Sequence, residues 1–269
     1  MKNIDKNKSS IEQLVDVLRA LRAPDGCPWD REQTALSLTQ FLAEECAEAI
    51  DAINKGNSNE ICDELGDVLM NIVFQSIVAE EQGDFNFSDI AQMSVEKMIR
   101  RHPHVFGDLK AEDAEAVKRN WDKIKLTEKG EEANDASILD NIPASLSGLL
   151  KARKVQRKAA KVGFDWDSQE QILEKIEEEL VELKEAMALN DKLRDEEHID
   201  EEIGDLLFAV VNLSRYRKRA TAEQLMTNAV LKFEKRFRHI ENSLKAQNKD
   251  FSQSNIVEME ALWVEAKKI

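Results

Sequence analysis

The chain has 269 residues, of which 53 are acidic and 38 are Lys or Arg, so its formal net charge is -15. This charge argues against a large nucleic-acid-binding face, because affinity for a phosphate backbone comes from concentrated Lys and Arg. The 9 Gly and 4 Pro together make only 13 residues that punctuate short strands and turns. An all-α fold with long helices is therefore predicted.

Cysteine usage and hydropathy predict a cytoplasmic protein with no membrane partner. The three cysteines form no CxxC pair, so we expect reduced thiols. Cys46 and Cys62 fall in helical segments, and we expect both to be buried as small apolar residues. No stretch approaches the roughly 18 uninterrupted apolar residues that a membrane helix needs. The first ten residues, MKNIDKNKSS, lack the apolar core of a signal peptide.

Residues 40–75 predict two helices joined by a tight turn. Apolar residues recur with helical periodicity on both sides of the turn, notably Leu42, Ile50 and Ile53 before it. Gly56 predicts a helix stop, and Asn57 or Ser58 a cap that starts the next helix. The acidic pattern is E-E-x-x-E, then E-x-G-D, formed by Glu44, Glu45, Glu48, Glu64, Gly66 and Asp67.

Residues 174–213 repeat this pattern in the second half of the chain. The repeat consists of Glu178, Glu179, Glu182, Glu202, Gly204 and Asp205. It lies 134 residues after the first copy at E-E-x-x-E (179 − 45) and 138 at E-x-G-D (202 − 64). This indicates a tandem duplication. The charged segment TEKGEEANDAS predicts the linker, so the expected organisation is a domain at 1–126, a linker at 127–137 and a domain at 138–269.

The acidic residues of each copy predict a metal site. Residues three or four apart share one face of a helix, so Glu45 pairs with Glu48, and antiparallel packing would bring this pair to Glu64 and Asp67. Converging carboxylates repel unless a cation lies among them, and oxygen ligands suit Mg²⁺, with Mn²⁺ as a possible substitute. Bundle di-iron sites use Glu-x-x-His, whereas the fourth residue here is Asp. The alternative is a solvated acidic surface. The second copy predicts the same ligand set: Glu179, Glu182, Glu202 and Asp205.

Magnesium bound by carboxylates keeps positions for substrate phosphates, which predicts a nucleotide substrate. The chain has no G-x-x-x-x-G-K-[ST] loop, so scattered basic residues would have to contact the phosphates. Candidates at helical spacing recur in both copies: Lys97, Arg101, Trp121 and Lys125, and then Lys232, Arg236, Trp263 and Lys267. Lys175 lies one turn before Glu179, where the first copy has Phe41, so the second copy is better equipped.

Six segments of the chain resemble the MazG family of nucleoside triphosphate pyrophosphohydrolases. They are DGCPWDREQT (25–34), FLAEECAEAIDAI (41–53), DELGDVL (63–69), RRHPHVFGD (100–108), AAKVGFDW (159–166) and EEIGDLLFAVVNL (201–213). The similarity runs from about Ile11 to Lys268. It implies two MazG-like helical domains with a helix-bundle core completed in a homodimer, Mg²⁺ dependence, and hydrolysis of nucleoside triphosphates to monophosphates and diphosphate.

The resemblance also implies roles for particular residues, most securely in the C-terminal copy. The metal ligands would be Glu179, Glu182, Glu202 and Asp205, with a matching N-terminal set of Glu45, Glu48, Glu64 and Asp67. The nucleotide-binding residues would be Lys175, Lys232, Arg236, Trp263 and Lys267. One departure is Ala35, which follows Thr34 where members usually have His.

The mechanistic hypothesis is attack of metal-activated water on the α-phosphorus, in line with the departing diphosphate. Glu178, Glu179 and Glu202 are the expected catalytic residues, and Glu178 could accept the water's proton. Broad base specificity and a role in nucleotide house-cleaning or pool adjustment are expected. The alternative is a non-catalytic acidic helical interaction or regulatory module, and the N-terminal copy could be catalytically silent. His102 and His104 are more simply explained by a turn than by a metal site.

Overall fold

The computed structural model describes residues 4–128, 137–188 and 195–268. The chain divides into two compact units, Met1–Glu131 and Glu132–Ile269. The described residues contain helices and no strand, which confirms the predicted all-α class. None of the described helices combines the length and the apolar character needed to cross a bilayer. Residues 129–136 of the predicted linker lie outside the described part, so the linker stays a prediction.

The N-terminal unit is built around a helical hairpin. Its helices are α1 Ser10–Arg22, α2 Pro28–Glu32, α3 Leu38–Lys55, α4 Ser58–Gln82, α5 Phe87–Arg101, α6 Pro103–Phe106 and α7 Ala114–Thr127. Gly56 ends α3 at a φ of 81°, a left-handed conformation that glycine adopts without strain. The side chain of Asn57 accepts a hydrogen bond from the Asn59 amide and caps α4. The predicted stop and restart are confirmed.

The N-terminal core lies between α1, the start of α3 and the second half of α4. It consists of Leu18, Leu38, Val73, Phe74, Ile77 and Val78. The predicted apolar side of α3 differs from the buried one, because Ala49 and Ala52 are buried while Ile50 and Ile53 are exposed. Helix α3 packs against α4, and its small alanines are buried while its larger isoleucines are left exposed. The expectation of buried cysteines is wrong, because both Cys46 and Cys62 are exposed.

The C-terminal unit repeats the hairpin with α9 and α10. Its helices are α8 Gly148–Ala160, α9 Gln169–Ala188, α10 Glu196–Arg217, α11 Ala222–Ala246 and α12 Ile256–Ala266, with a short 3-10 turn at Phe251–Gln253. The Asp195 side chain caps α10 by accepting from two backbone amides. Helix α8 packs on α10, and the side-chain amide of Gln156 donates to the Phe208 carbonyl at 2.8 Å.

The two hairpins keep the same helical register at their acidic residues. Helix α4 begins at Ser58, six residues before Glu64, and α10 begins at Glu196, six residues before Glu202. The N-terminal connection consists of Gly56 and Asn57, whereas the C-terminal one spans 189–195, mostly outside the described residues. The four extra residues of the second copy therefore lie before the helix that carries Glu202, outside its first six residues.

Candidate metal and nucleotide site

The N-terminal hairpin brings three glutamates together. Glu45 and Glu48 lie one turn apart on α3, and Glu64 reaches them from α4. One carboxylate oxygen from each of the three lies within 4.8 Å of the others. Asp67 follows one turn after Glu64, and its charge reaches Glu45. The hairpin therefore assembles three glutamates that lie up to 19 positions apart in sequence (64 − 45).

The N-terminal glutamates are held where their charges are unfavourable. Desolvation raises the pKa of Glu45, and the negative charges of Asp67 and Glu48 raise it further. Desolvation and then the charge of Glu48 raise the pKa of Glu64 in the same way. Both groups would be stabilised as carboxylates by a cation placed among them.

The C-terminal hairpin brings together the equivalent glutamates, Glu179, Glu182 and Glu202, with oxygens again within 4.8 Å of one another. Glu179 is buried, with 6% of its surface exposed. Desolvation and the charge of Glu179 raise the pKa of Glu182. Asp205 lies one turn after Glu202 on α10 but is not among these three, so its place in the ligand set stays a prediction.

Lys175 distinguishes the C-terminal cluster. Its Nζ lies 2.7 Å from Oε1 of Glu178 and 2.8 Å from Oε1 of Glu179, and these hydrogen bonds raise the lysine pKa. The side chain thus supplies a positive charge to a nearly buried carboxylate. In the N-terminal copy this position is Phe41, whose ring packs edge-on against Trp29 at 5.6 Å. Lys175 and Glu178, which were predicted to contact a phosphate and to accept a proton, thus form an ion pair with each other in this structure.

Sequence reasoning missed His198. Its Nδ1 lies 3.5 Å from Oε1 of Glu202, and it faces that glutamate because it precedes it by one helical turn on α10. The i, i+4 spacing was the signal that could have found it. The equivalent N-terminal residue is Glu60, so the second cluster has an imidazole where the first has another acidic group.

The predicted nucleotide-binding residues of α11 and α12 form a second group. The Arg236 guanidinium carbon lies 5.5 Å from the centre of the Trp263 ring, and Phe233 packs on the same ring at 5.1 Å. Lys232 lies one turn before Arg236, and Lys267 follows α12. Within the described ranges no hydrogen bond or ion pair joins this group to the glutamates. That a nucleotide spans both groups stays a prediction.

The N-terminal copy repeats the arginine and tryptophan pair but adds an acidic partner. Arg101 lies 5.3 Å from the Trp121 ring centre. Its Nη2 is 2.6 Å from Oε2 of Glu128, and Nε of Arg100 is 2.7 Å from Oε1 of the same residue. Glu128 was not predicted as a site residue.

The donor set in each copy fits a divalent cation. Three carboxylates present oxygens within the reach of one ion, and hard cations such as Mg²⁺ take oxygen ligands and keep several waters. Desolvation first, and then the charges of nearby acidic groups, raises the pKa of Glu45, Glu64 and Glu182 alike, and a cation would oppose both effects. Lys175 partly supplies this positive charge in the second copy.

Each hairpin has a carboxylate cluster suited to a cation and a basic aromatic pair, which places the protein in the class of all-α proteins with acidic sites between helices. A comparison with family models identifies one family within that class. The model described as "MazG nucleotide pyrophosphohydrolase domain" matches residues 33–106 and 167–241. The chain belongs to the MazG family and contains its domain twice.

Full-length relatives agree with this assignment. The chain is 38% identical over 97% of its length, and 98% of the relative's, to a protein of Escherichia coli (strain K12) named nucleoside triphosphate pyrophosphohydrolase. It is 41% identical, over 95% of each chain, to one of Thermotoga maritima named nucleoside triphosphate pyrophosphohydrolase/pyrophosphatase MazG. A solved structure titled mazG-related protein from Thermotoga maritima aligns with 43% of this chain and 98% of its own, at 26% identity and a TM-score of 0.38.

Proposed function

We propose that this chain is a nucleoside triphosphate pyrophosphohydrolase that releases diphosphate and leaves a nucleoside monophosphate. The observation that carries the proposal is the convergence of Glu179, Glu182 and Glu202 in a domain of this family. The names of the full-length relatives support the same activity.

The proposed cofactor is Mg²⁺, with Mn²⁺ as a substitute. Glu179, Glu182 and Glu202 would hold it, with Asp205 completing the set from the next turn of α10. When bound, such an ion supplies the charge that activates water and neutralises phosphate oxygens. A cation bound to Glu179 would take the place of Lys175 as the partner of this carboxylate. The amine of Lys175 would then be free to contact a phosphate oxygen.

The remaining residues act on the substrate's charge. Glu178 would accept a proton from the attacking water once Lys175 has moved away from its carboxylate. Lys232, Arg236 and Lys267 would stabilise the negative charge that develops on the departing diphosphate. Trp263 holds the Arg236 guanidinium over its ring and thereby restricts where that charge can lie.

The C-terminal copy is the proposed catalytic copy. It has Lys175 beside its cluster and an arginine, Arg236, that forms no ion pair with a carboxylate in the described ranges. The N-terminal copy has Phe41 and an arginine already paired with Glu128. Glu45, Glu48, Glu64 and Asp67 would still bind a cation there, in a scaffold or regulatory role.

A homodimer is proposed because large apolar side chains cover free faces of both hairpins. Leu180 on α9 and Ile203, Leu207 and Val210 on α10 are 40–51% exposed. Ile50 and Ile53 are exposed on α3. Apolar faces of this kind are covered in stable assemblies, and a second copy supplies a matching surface. Sedimentation equilibrium should give twice the chain mass.

The test of the activity is a panel of nucleoside triphosphates assayed for diphosphate and orthophosphate in Mg²⁺, Mn²⁺ or EDTA. We expect diphosphate, turnover of several bases, and loss of activity in EDTA. A broad panel would fit the proposed cytoplasmic role in nucleotide house-cleaning or pool adjustment. Orthophosphate as the released product, or no product from any triphosphate, would contradict the proposal.

A further inference from the structure

Two arginines at the end of α5 share one carboxylate across a long interval of sequence. The Arg100 and Arg101 guanidiniums both donate to Glu128, which lies just after α7. The side chains of Arg101 and Glu128 are 16% and 20% exposed, so both are partly buried. Together the arginines lower the pKa of Glu128 to about 2. Two cations facing one anion leave a positive charge in excess.

The groups around these arginines suit a larger anion than a carboxylate. Arginine binds phosphate and carboxylate with the same paired N–H geometry. The His102 ring packs edge-on against Trp121 at 4.9 Å, and its Nδ1 bonds to the Met98 carbonyl at 2.7 Å, which leaves Nε2 for another partner. The neighbouring His104 has a buried Nδ1 with no hydrogen-bond partner among the described residues.

The same arrangement occurs in the C-terminal copy without the acidic partner. Lys97 and Arg101 correspond to Lys232 and Arg236 at one offset of 135 residues (232 − 97 and 236 − 101). In both copies the arginine lies over a tryptophan at nearly the same distance, 5.3 and 5.5 Å. Glu128 therefore takes the place at Arg101 that a substrate phosphate takes at Arg236 under the proposed function.

We propose that the N-terminal copy contains a second binding site for the triphosphate group of a nucleotide, and that Glu128 closes this site by occupying Arg100 and Arg101. The inference rests on the proposed function for the role of Arg236. A triphosphate carries several negative charges against the single charge of Glu128, so it displaces the carboxylate at high nucleotide concentration. The site is then weak in the natural chain and responds to nucleotide supply.

The proposed second site is tested by calorimetric titration of the full-length protein. The titrant is α,β-methylene ATP with Mg²⁺, because this analogue has no hydrolysable α–β bridge. The natural chain should show one tight and one weaker binding event. Glu128→Gln should tighten the weaker event by at least about 10-fold, the low end for removing a competing charge-assisted contact. Arg101→Ala should abolish the weaker event, both alone and combined with Glu128→Gln. Glu234→Gln breaks the exposed pair with Arg238 in the other copy and should change neither event.

Each other outcome is decisive. Two equally tight events in the natural chain, no tightening in a folded Glu128→Gln variant, or a weaker event that survives Arg101→Ala would each overturn the inference. The Arg101→Ala comparison decides the matter even if Glu128→Gln does not fold. Loss of the tight event together with no diphosphate release would instead contradict the proposed function, and the response of the weaker event to Glu128→Gln would still stand.

Discussion

The two hairpins carry the same three glutamates but differ in the residue that lies beside them. In the C-terminal copy Lys175 is bonded to Glu179, whereas the N-terminal copy has Phe41 and leaves Glu45 among other negative charges. The opposite holds at the basic pair, where Arg101 has Glu128 and Arg236 has no carboxylate partner in the described ranges. The duplicated glutamates therefore lie in unequal electrostatic surroundings, and under the proposed function this difference separates the roles of the two copies.

The largest expected contrast is between Glu202→Gln and Glu64→Gln. Replacing Glu202 removes a carboxylate from the C-terminal cluster, so diphosphate release should fall by at least about 100-fold, as for the loss of a preorganised electrostatic group. The N-terminal variant should keep most of the activity. Diphosphate assays in Mg²⁺ measure both, with circular dichroism to verify helix content. Equal losses would mean that both copies contribute to turnover.

Lys175→Phe gives the C-terminal copy the residue of the N-terminal one. The variant loses a charged hydrogen-bond donor near the phosphates, so kcat/KM should decrease by about 10- to 100-fold. Lys175→Arg keeps the charge and should retain more activity, which separates a charge effect from a packing effect. Unchanged kinetics in the phenylalanine variant would contradict a contact between the lysine and the substrate. The lysine would then only neutralise Glu179 in the protein without metal.

Arg236→Ala and Arg101→Ala compare the two basic pairs. Removing Arg236 should raise KM by about 10-fold, because one charged contact to the substrate is lost. Removing Arg101 should leave KM close to its original value, since Glu128 already neutralises that guanidinium. Steady-state kinetics over a range of triphosphate concentrations gives the KM of both variants. A larger effect at Arg101 would reverse the assignment of the catalytic copy.

The smallest expected contrast is in stability without metal. The pKa of Glu45 is raised in the folded chain, so its ionised form opposes folding, and stability falls as pH rises through that pKa. Glu45→Gln should therefore raise the melting temperature in EDTA at pH 7. The equivalent Glu179→Gln should lower it by a few degrees, because Lys175 loses its more buried partner. Thermal unfolding followed by circular dichroism checks both, and shifts of the same sign would contradict the comparison.

The hairpins and their acidic clusters could be predicted because the signals are local. Gly56 and Asn57 mark the turn, and a spacing of three residues places Glu45 with Glu48 on one face. Helical periodicity does not tell which partner covers an apolar side chain, so the exposure of Ile50 was missed. The pairing of Arg101 on α5 with Glu128, just after α7, joins residues 27 positions apart, which no local rule specifies.

The unequal connections of the two hairpins have a practical consequence. Both helices after the connection start six residues before their glutamate, although one connection has two residues and the other spans 189–195. The position of each glutamate therefore follows the start of its own helix, which is the same in both hairpins. A chain can therefore change the length of such a connection without rotating the glutamate on the helix that follows.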